Sequence, residues 1–149
     1  MKIALGFDHG GFEYKAALTE FLTKNGYEYV DFGTYSNASV DYPDYAIKVA
    51  KAVVNKECDK GILICGTGIG MSISANKVKG IRCGLANDYF SAKATRQHND
   101  TNVLAMGARV IGIGTMLEIV NVWLTTDYIG SYHQKRLDKI AQIENDELK

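Results

Sequence analysis

Two rhythms of apolar residues alternate along the chain, short runs of strand length and longer stretches at helical spacing. Lys2 to Phe7 is a strand-length run closed by the turn sequence Asp8-His9-Gly10-Gly11. Ala17, Leu18, Phe21 and Leu22 then recur at helical spacing and stop at Asn25-Gly26, a C-terminal signal. Tyr27 to Phe32 predicts a second strand, Gly33 to Asp44 a polar loop holding the only proline, Pro43, and Tyr45 onward a helix burying Ala46, Val49, Ala50 and Val53. Ile62, Leu63 and Ile64 form the continuous run expected of a strand covered on both faces, although three apolar residues alone also suit a buried helix. A helix is predicted from about Ile69 to Lys77, a strand from Ile81 to Ala86 ending in Asn87-Asp88, and a helix to about His98. Asn102 to Met106 reads as a fifth strand, Thr115 to Leu124 as a helix burying Ile119, Val120 and Trp123. Ser131 is the expected N-cap of a last helix bearing Leu137, Ile140, Ile143 and Leu148.

Strands alternating with helices through short connections predict one α/β domain over residues 1–149, three layers built on a five-stranded parallel sheet. In such sheets ligands gather at the carboxyl ends of strands, where neighbouring crossovers diverge to opposite faces. If the first and third strands are neighbours, Asp8-His9 and Cys65 to Gly70 share one crevice.

The stretch Gly61 to Ser72 carries the most chemistry. Gly66, Gly68 and Gly70 lack side chains, so several backbone N–H groups can converge where the next helix begins, a site for an oxyanion or phosphate. Cys65 stands at the lip, with Thr67 one step inside. A helix start nearby favours a thiolate. Three known phosphate loops fit poorly. Alternating glycines do not make G-x-G-x-x-G, although Asp88 lies near the acidic position of that fingerprint; Gly70-Met71-Ser72 lacks the Walker lysine; and no arginine closes the loop after the thiol as a cysteine phosphatase requires.

Composition narrows the partners. The 17 basic and 17 acidic residues balance without a basic block, which argues against nucleic acid and against a polybasic membrane arm. Met1 to Phe7 is too short for an export signal or a membrane span, so a cytoplasmic chain is expected. Three irregularly spaced cysteines, Cys58, Cys65 and Cys83, are expected to be reduced, and no CxxC pair suggests a metal. Cys58 and Cys83 have structural settings. Alone, His9 is a strand-end turn residue, His98-Asn99 a helix C-cap, and Arg109 and Arg136 solvated positions.

Taken together, these stretches resemble the type B ribose-5-phosphate isomerases and the related galactose- and allose-6-phosphate isomerases. The resemblance rests on Asp8-His9-Gly10-Gly11, Val40-Asp41-Tyr42-Pro43-Asp44, Cys65-Gly66-Thr67-Gly68-Ile69-Gly70, Ser74-Ala75-Asn76-Lys77, Gln97-His98-Asn99-Asp100 and Leu104-Ala105-Met106-Gly107-Ala108-Arg109-Val110. It implies a Rossmann-like fold and an aldose–ketose isomerase needing neither metal nor cofactor, working as a homodimer with sites shared between chains; pairing of dimers into a tetramer stays open. It implies Cys65 as carbon base, Thr67 serving the two oxygens, and backbone N–H groups from Gly66 through Gly68 and Ile69 to Gly70, with Asn99, as the anion hole. His98 assisted by Asp8 would open the sugar ring, Tyr42 would line the sugar, and His9, Arg109 and Arg136 would hold the phosphate, some from the partner chain. The last helix would pack at the dimer interface.

One position departs from the pattern. The family commonly shows Gly-Gly-Arg-His before the last helix, where this chain has Gly130-Ser131-Tyr132-His133. Tyr132 brings a neutral hydroxyl where an arginine would make charge-assisted contacts. Ribose 5-phosphate is therefore the leading expected substrate, with a 6-phosphohexose such as allose or galactose 6-phosphate as alternative, His133 and Lys135 as compensating contacts, and a non-catalytic sugar-phosphate or nucleotide binding module as the reading from another class.

Overall fold

Alternate residues of the first strand, β1 (Lys2–Phe7), serve two separate cores, as a strand covered on both faces requires. Ile3, Leu5 and Phe7 join one apolar cluster and Ala4 the other. The chain's computed structural model describes residues 1–147. The remaining strands are β2 (Glu28–Asp31), β3 (Lys60–Cys65), β4 (Cys83–Leu85) and β5 (Val103–Gly107). All pair parallel, in the order β2-β1-β3-β5-β4, giving the predicted three-layer Rossmann-like α/β fold.

The helices are α1 (Lys15–Lys24), α2 (Tyr42–Val54), α3 (Ile69–Asn76), α4 (Tyr89–Asn99), α5 (Ile113–Thr125) and α6 (Tyr132–Glu144). Leu18 and Leu22 of α1, Ala92 of α4, and Met116, Ile119, Val120 and Trp123 of α5 cover one sheet face. Ala46, Val49, Ala50 and Val53 of α2, with Met71 and Ala75 of α3, cover the other. The crossover after β1 therefore leaves toward one face and the crossover after β3 toward the opposite one. Because β1 and β3 are neighbours, with Phe7 level with Ile64, a crevice opens above their carboxyl ends. Among the described residues no helix is long and apolar enough to cross a membrane.

Several boundaries differ from the sequence expectation for local reasons. Tyr42, Pro43 and Asp44 are helical rather than loop: proline at the start of α2 loses no hydrogen bond and brings a helical φ. A 3-10 turn (Phe12–Tyr14) precedes α1. β4 pairs only over Cys83–Leu85, because the Ile81 N–H turns back to the Val78 carbonyl. Ser131 does not cap α6; its φ is +54° and its side chain makes no capping bond. On α6 only His133 and Leu137 are buried, Ile140 and Ile143 are exposed, and Leu148 lies outside the described residues.

The sheet's other end carries a pH-sensitive group. Lys60, opening β3, holds its ammonium 5.0 Å from the Trp123 ring centroid. Burial first, then the nearby Arg96 charge, lower its pKa to about 8, against the opposing pull of Asp100, Asp127 and Asp59. Between that value and the unfolded lysine's roughly 10.4, the unfolded chain holds a proton the folded chain has released, so this group adds stability as pH rises. The Tm of wild type relative to a Lys60→Met variant is expected to improve as pH climbs from 7 through 8 toward 10. A difference independent of pH would contradict this.

Candidate active site

The turn after β1 is held by its own aspartate. Asp8 is buried, and its Oδ1 accepts N–H bonds from Gly10 at 2.8 Å and Gly11 at 3.1 Å. Gly11 presses on the neighbouring strand so closely that a Cβ there would lie 2.1 Å from the Ile64 carbonyl oxygen. The next residue of β1's turn, His9, accepts the Val40 N–H on Nδ1 at 3.2 Å, so in the neutral ring Nε2 carries the proton.

β3 delivers Cys65 to the same crevice. Its Sγ, in a residue only 5 % exposed, accepts the Gly68 N–H at 3.1 Å, a donor available to negative charge on sulfur. Thr67 Oγ1 accepts the Ile69 N–H at 3.2 Å. Gly68 caps α3 in the left-handed region, φ +80°, where a side chain is strained. Two of the five N–H groups expected to form an anion hole thus point at the chain's own sulfur and hydroxyl. Tyr42 lies over Gly70, its ring occupying the space a side chain there would need, 2.6 Å from the Cβ position.

Arg109 is strapped to this loop. Its N–H donates to the Gly66 carbonyl at 3.0 Å, and the Ala108 N–H to the Cys65 carbonyl at 2.9 Å. His9, Gly10, Glu13, Tyr14, Ala108 and Arg109 line a hollow of about 270 Å³. Tyr14 donates its hydroxyl to the Ile111 carbonyl at 2.6 Å and so braces the turn presenting Arg109. Asn87 Oδ1 accepts the Gly107 N–H at 2.9 Å, tying β4's end to β5's. Sequence reasoning gave no such role to Tyr14, Val40 or Asn87, whose partners lie 97, 31 and 20 residues away. Asp88, which stood near a nucleotide-binding position, caps α4 by accepting the Ser91 N–H at 2.7 Å.

The other candidates form a second group. α4 runs antiparallel to the strands, so its last residues, His98 and Asn99, lie at the amino-terminal edge of the sheet. The Asn99 carbonyl accepts from Arg82 Nε at 2.9 Å just before β4, whose Cys83 is level with Val103 and hence with Gly61. Cys65, four residues further along β3, is thus about 13 Å up the sheet, at roughly 3.3 Å per residue. His98 stacks on His133, centroids 4.4 Å apart; Tyr132 packs on His133 at 4.3 Å; Arg136 lies over the Tyr132 ring at 5.1 Å. Burial, followed by the charges of His98 and Arg136, lowers the His133 pKa. Within one chain, Asp8, His9, Tyr42, Arg109 and the Cys65–Gly70 loop come together, while His98, Asn99, Tyr132 and Arg136 stand apart from them.

A larger hollow, about 510 Å³, also lies at the far edge, walled in part by Ile81, Cys83, Asn99, Ile140 and Ile143. Its thiol is a poor nucleophile, since burial pushes Cys83 up to about 12. Cys58 sits in the core, its pKa raised chiefly by burial.

Residues 3–140 match the family described as ribose/galactose isomerase. Ribose-5-phosphate isomerase B of Escherichia coli is 50% identical over 96% of this chain and 96% of its own length. D-erythrulose-4-phosphate isomerase of Pectobacterium atrosepticum is 38% identical over 99% of this chain and 97% of its own. The solved structure of Clostridium thermocellum ribose-5-phosphate isomerase B superposes with a TM-score of 0.97 at 51% identity, over 98% of this chain and 99% of that one. With the family matched over nearly the whole chain and a thiol beside a glycine loop at the sheet's switch point, this protein belongs to the ribose/galactose isomerase family and is an aldose–ketose isomerase.

Proposed function

We propose that the chain interconverts ribose 5-phosphate and ribulose 5-phosphate through an enediolate. The observation that carries this is Cys65 Sγ, held 3.1 Å from the Gly68 N–H beside the hollow that His9 and Arg109 line. Cys65 takes the proton from C2 of the open aldose, the C2–H electron pair becomes the C1–C2 double bond, and the proton returns to C1. Thr67 moves the hydroxyl proton between O2 and O1, and the glycine-loop N–H groups with Asn99 stabilise the enediolate. His9, with Nε2–H available, Arg109 and Arg136 hold the phosphate; Tyr42 lines the sugar.

Ring opening comes first. His98 gives a proton to the ring oxygen as its bond to C1 breaks, and Asp8 accepts the proton of the C1 hydroxyl. Since those two residues lie at opposite edges of one sheet, the proposal includes a homodimer in which His98, Asn99 and Arg136 of one chain meet Asp8, His9 and Cys65 of the other. Exposed Ile140 and Ile143 on α6 support that helix as part of the interface.

Incubating chelator-treated protein with each pentose phosphate and measuring both sugars tests the reading. Interconversion without added metal is expected; no turnover sinks it, and turnover restored only by a metal sinks the metal-free step. Tyr132, packed on His133 and Arg136, favours a second reading in which a 6-phosphohexose is the better substrate. Side-by-side kcat/KM values for ribose 5-phosphate, allose 6-phosphate and galactose 6-phosphate separate the two. Ligand-induced stabilisation without product would instead indicate a binding module.

A further inference from the structure

We infer that His133 is a positioning residue for His98, holding its imidazole in the orientation used to open the sugar ring; this rests on the role of His98 proposed above. The two rings are 4.4 Å apart between centroids and only 16° from parallel. His133 is buried, whereas His98 is partly open to solvent, so the fixed ring is the one behind. His133 also meets Tyr132 at 4.3 Å, and Tyr132 in turn carries Arg136 at 5.1 Å. Four side chains thus make one column of contacts from the end of α4 to the first two turns of α6, where Leu137 is also buried.

The backbone under His98 is braced as well. Asp100, left-handed with φ +44°, accepts from Arg82 Nη2 at 3.1 Å and Arg96 Nη1 at 2.8 Å. An imidazole at a helix end otherwise rotates freely about its side-chain bonds, and a proton donor off its line loses rate steeply. The column supplies the missing constraint within a single chain. It also gives Tyr132 a task other than binding phosphate: its ring packs against His133.

The test exploits a difference between the two sugars. Ribose 5-phosphate is mainly a closed ring that must be opened, whereas ribulose 5-phosphate cannot close a five-membered ring because the oxygen needed carries the phosphate. Enediolate formation from ribulose 5-phosphate, read as solvent deuterium entering C1, needs no ring opening, so the aldose-to-ketose rate divided by this exchange rate on one preparation is a ratio unaffected by the folded fraction. His133→Ala is expected to cut that ratio about tenfold, chiefly through the kcat of isomerisation, as a misplaced proton donor would. His133→Phe, which keeps a flat ring behind His98, is expected to restore the ratio. His98→Asn is expected to lower it further. A His133→Ala ratio equal to wild type, or a His133→Phe ratio as low as that of alanine, overturns the positioning role while His98→Asn still shows the selective loss. If His98→Asn leaves the ratio unchanged, or wild type turns over neither sugar, the underlying reading fails and this one with it.

Discussion

Replacing Cys65 by alanine is expected to lower isomerisation of ribose 5-phosphate by about 10³-fold or more, the range lost when a positioned base is removed. No other thiol can substitute. Cys58 lies in the core, and Cys83, raised to about 12 by burial, opens the edge strand β4. Both are expected to tolerate alanine without loss of kcat. The fold should survive, because Sγ is the only heavy atom removed and its one bond within the chain is to the Gly68 N–H. Leaving that donor unpaired costs about 1–3 kcal/mol, less than a typical domain's stability. Circular dichroism and a thermal melt check the fold, and a coupled assay checks the rate. A tenth of wild-type activity remaining would place the base elsewhere.

Gly11→Ala is expected to be more damaging to structure than any substitution on the site's open face. The added Cβ would fall 2.1 Å from the Ile64 carbonyl oxygen and 2.6 Å from its carbon, main-chain atoms of β3 that cannot step aside as a side chain can. Relief requires β1's turn to move off β3. That breaks the Gly11 N–H bond to Asp8 and shifts the residue just before Cys65. A destabilisation of about 3 kcal/mol, at the top of the usual range for overpacking, should accompany loss of activity in the fraction that folds. Unchanged denaturant midpoint and activity would mean the two turns are not in tight register.

Much of this was legible in the residues because the signals were local. Ile62 to Cys65 is a buried strand by its unbroken apolar run, and Gly66, Gly68 and Gly70 announce a turn into the next helix; Gly68 makes it, capping α3 with φ +80°. The neighbouring of β1 and β3 was a condition for the shared crevice rather than a consequence of the residues, and the pairing of Phe7 with Ile64 meets it. Local signals misled where two were superposed. Proline in a polar run reads as loop, yet Tyr42-Pro43-Asp44 begins α2. Ser131 has a capping residue's chemistry but a backbone, φ +54°, that turns it away. Long-range pairings were invisible: nothing near His98 announces that its ring rests on His133, and nothing near His9 shows that Val40 fixes its tautomer. Nor does the chain order reveal that His98 and Cys65 end up about 13 Å apart along the sheet.

That separation is why the account needs two chains, and mixing two inactive variants tests it most directly. Cys65→Ala and His98→Asn are each expected to be nearly inactive on ribose 5-phosphate. Co-refolded in equal amounts, they should form about half heterodimers, each with one intact and one doubly damaged site. Activity should therefore return to about a quarter of wild type. A mixture no more active than the sum of its two components would place both residues in one chain's site and contradict the account.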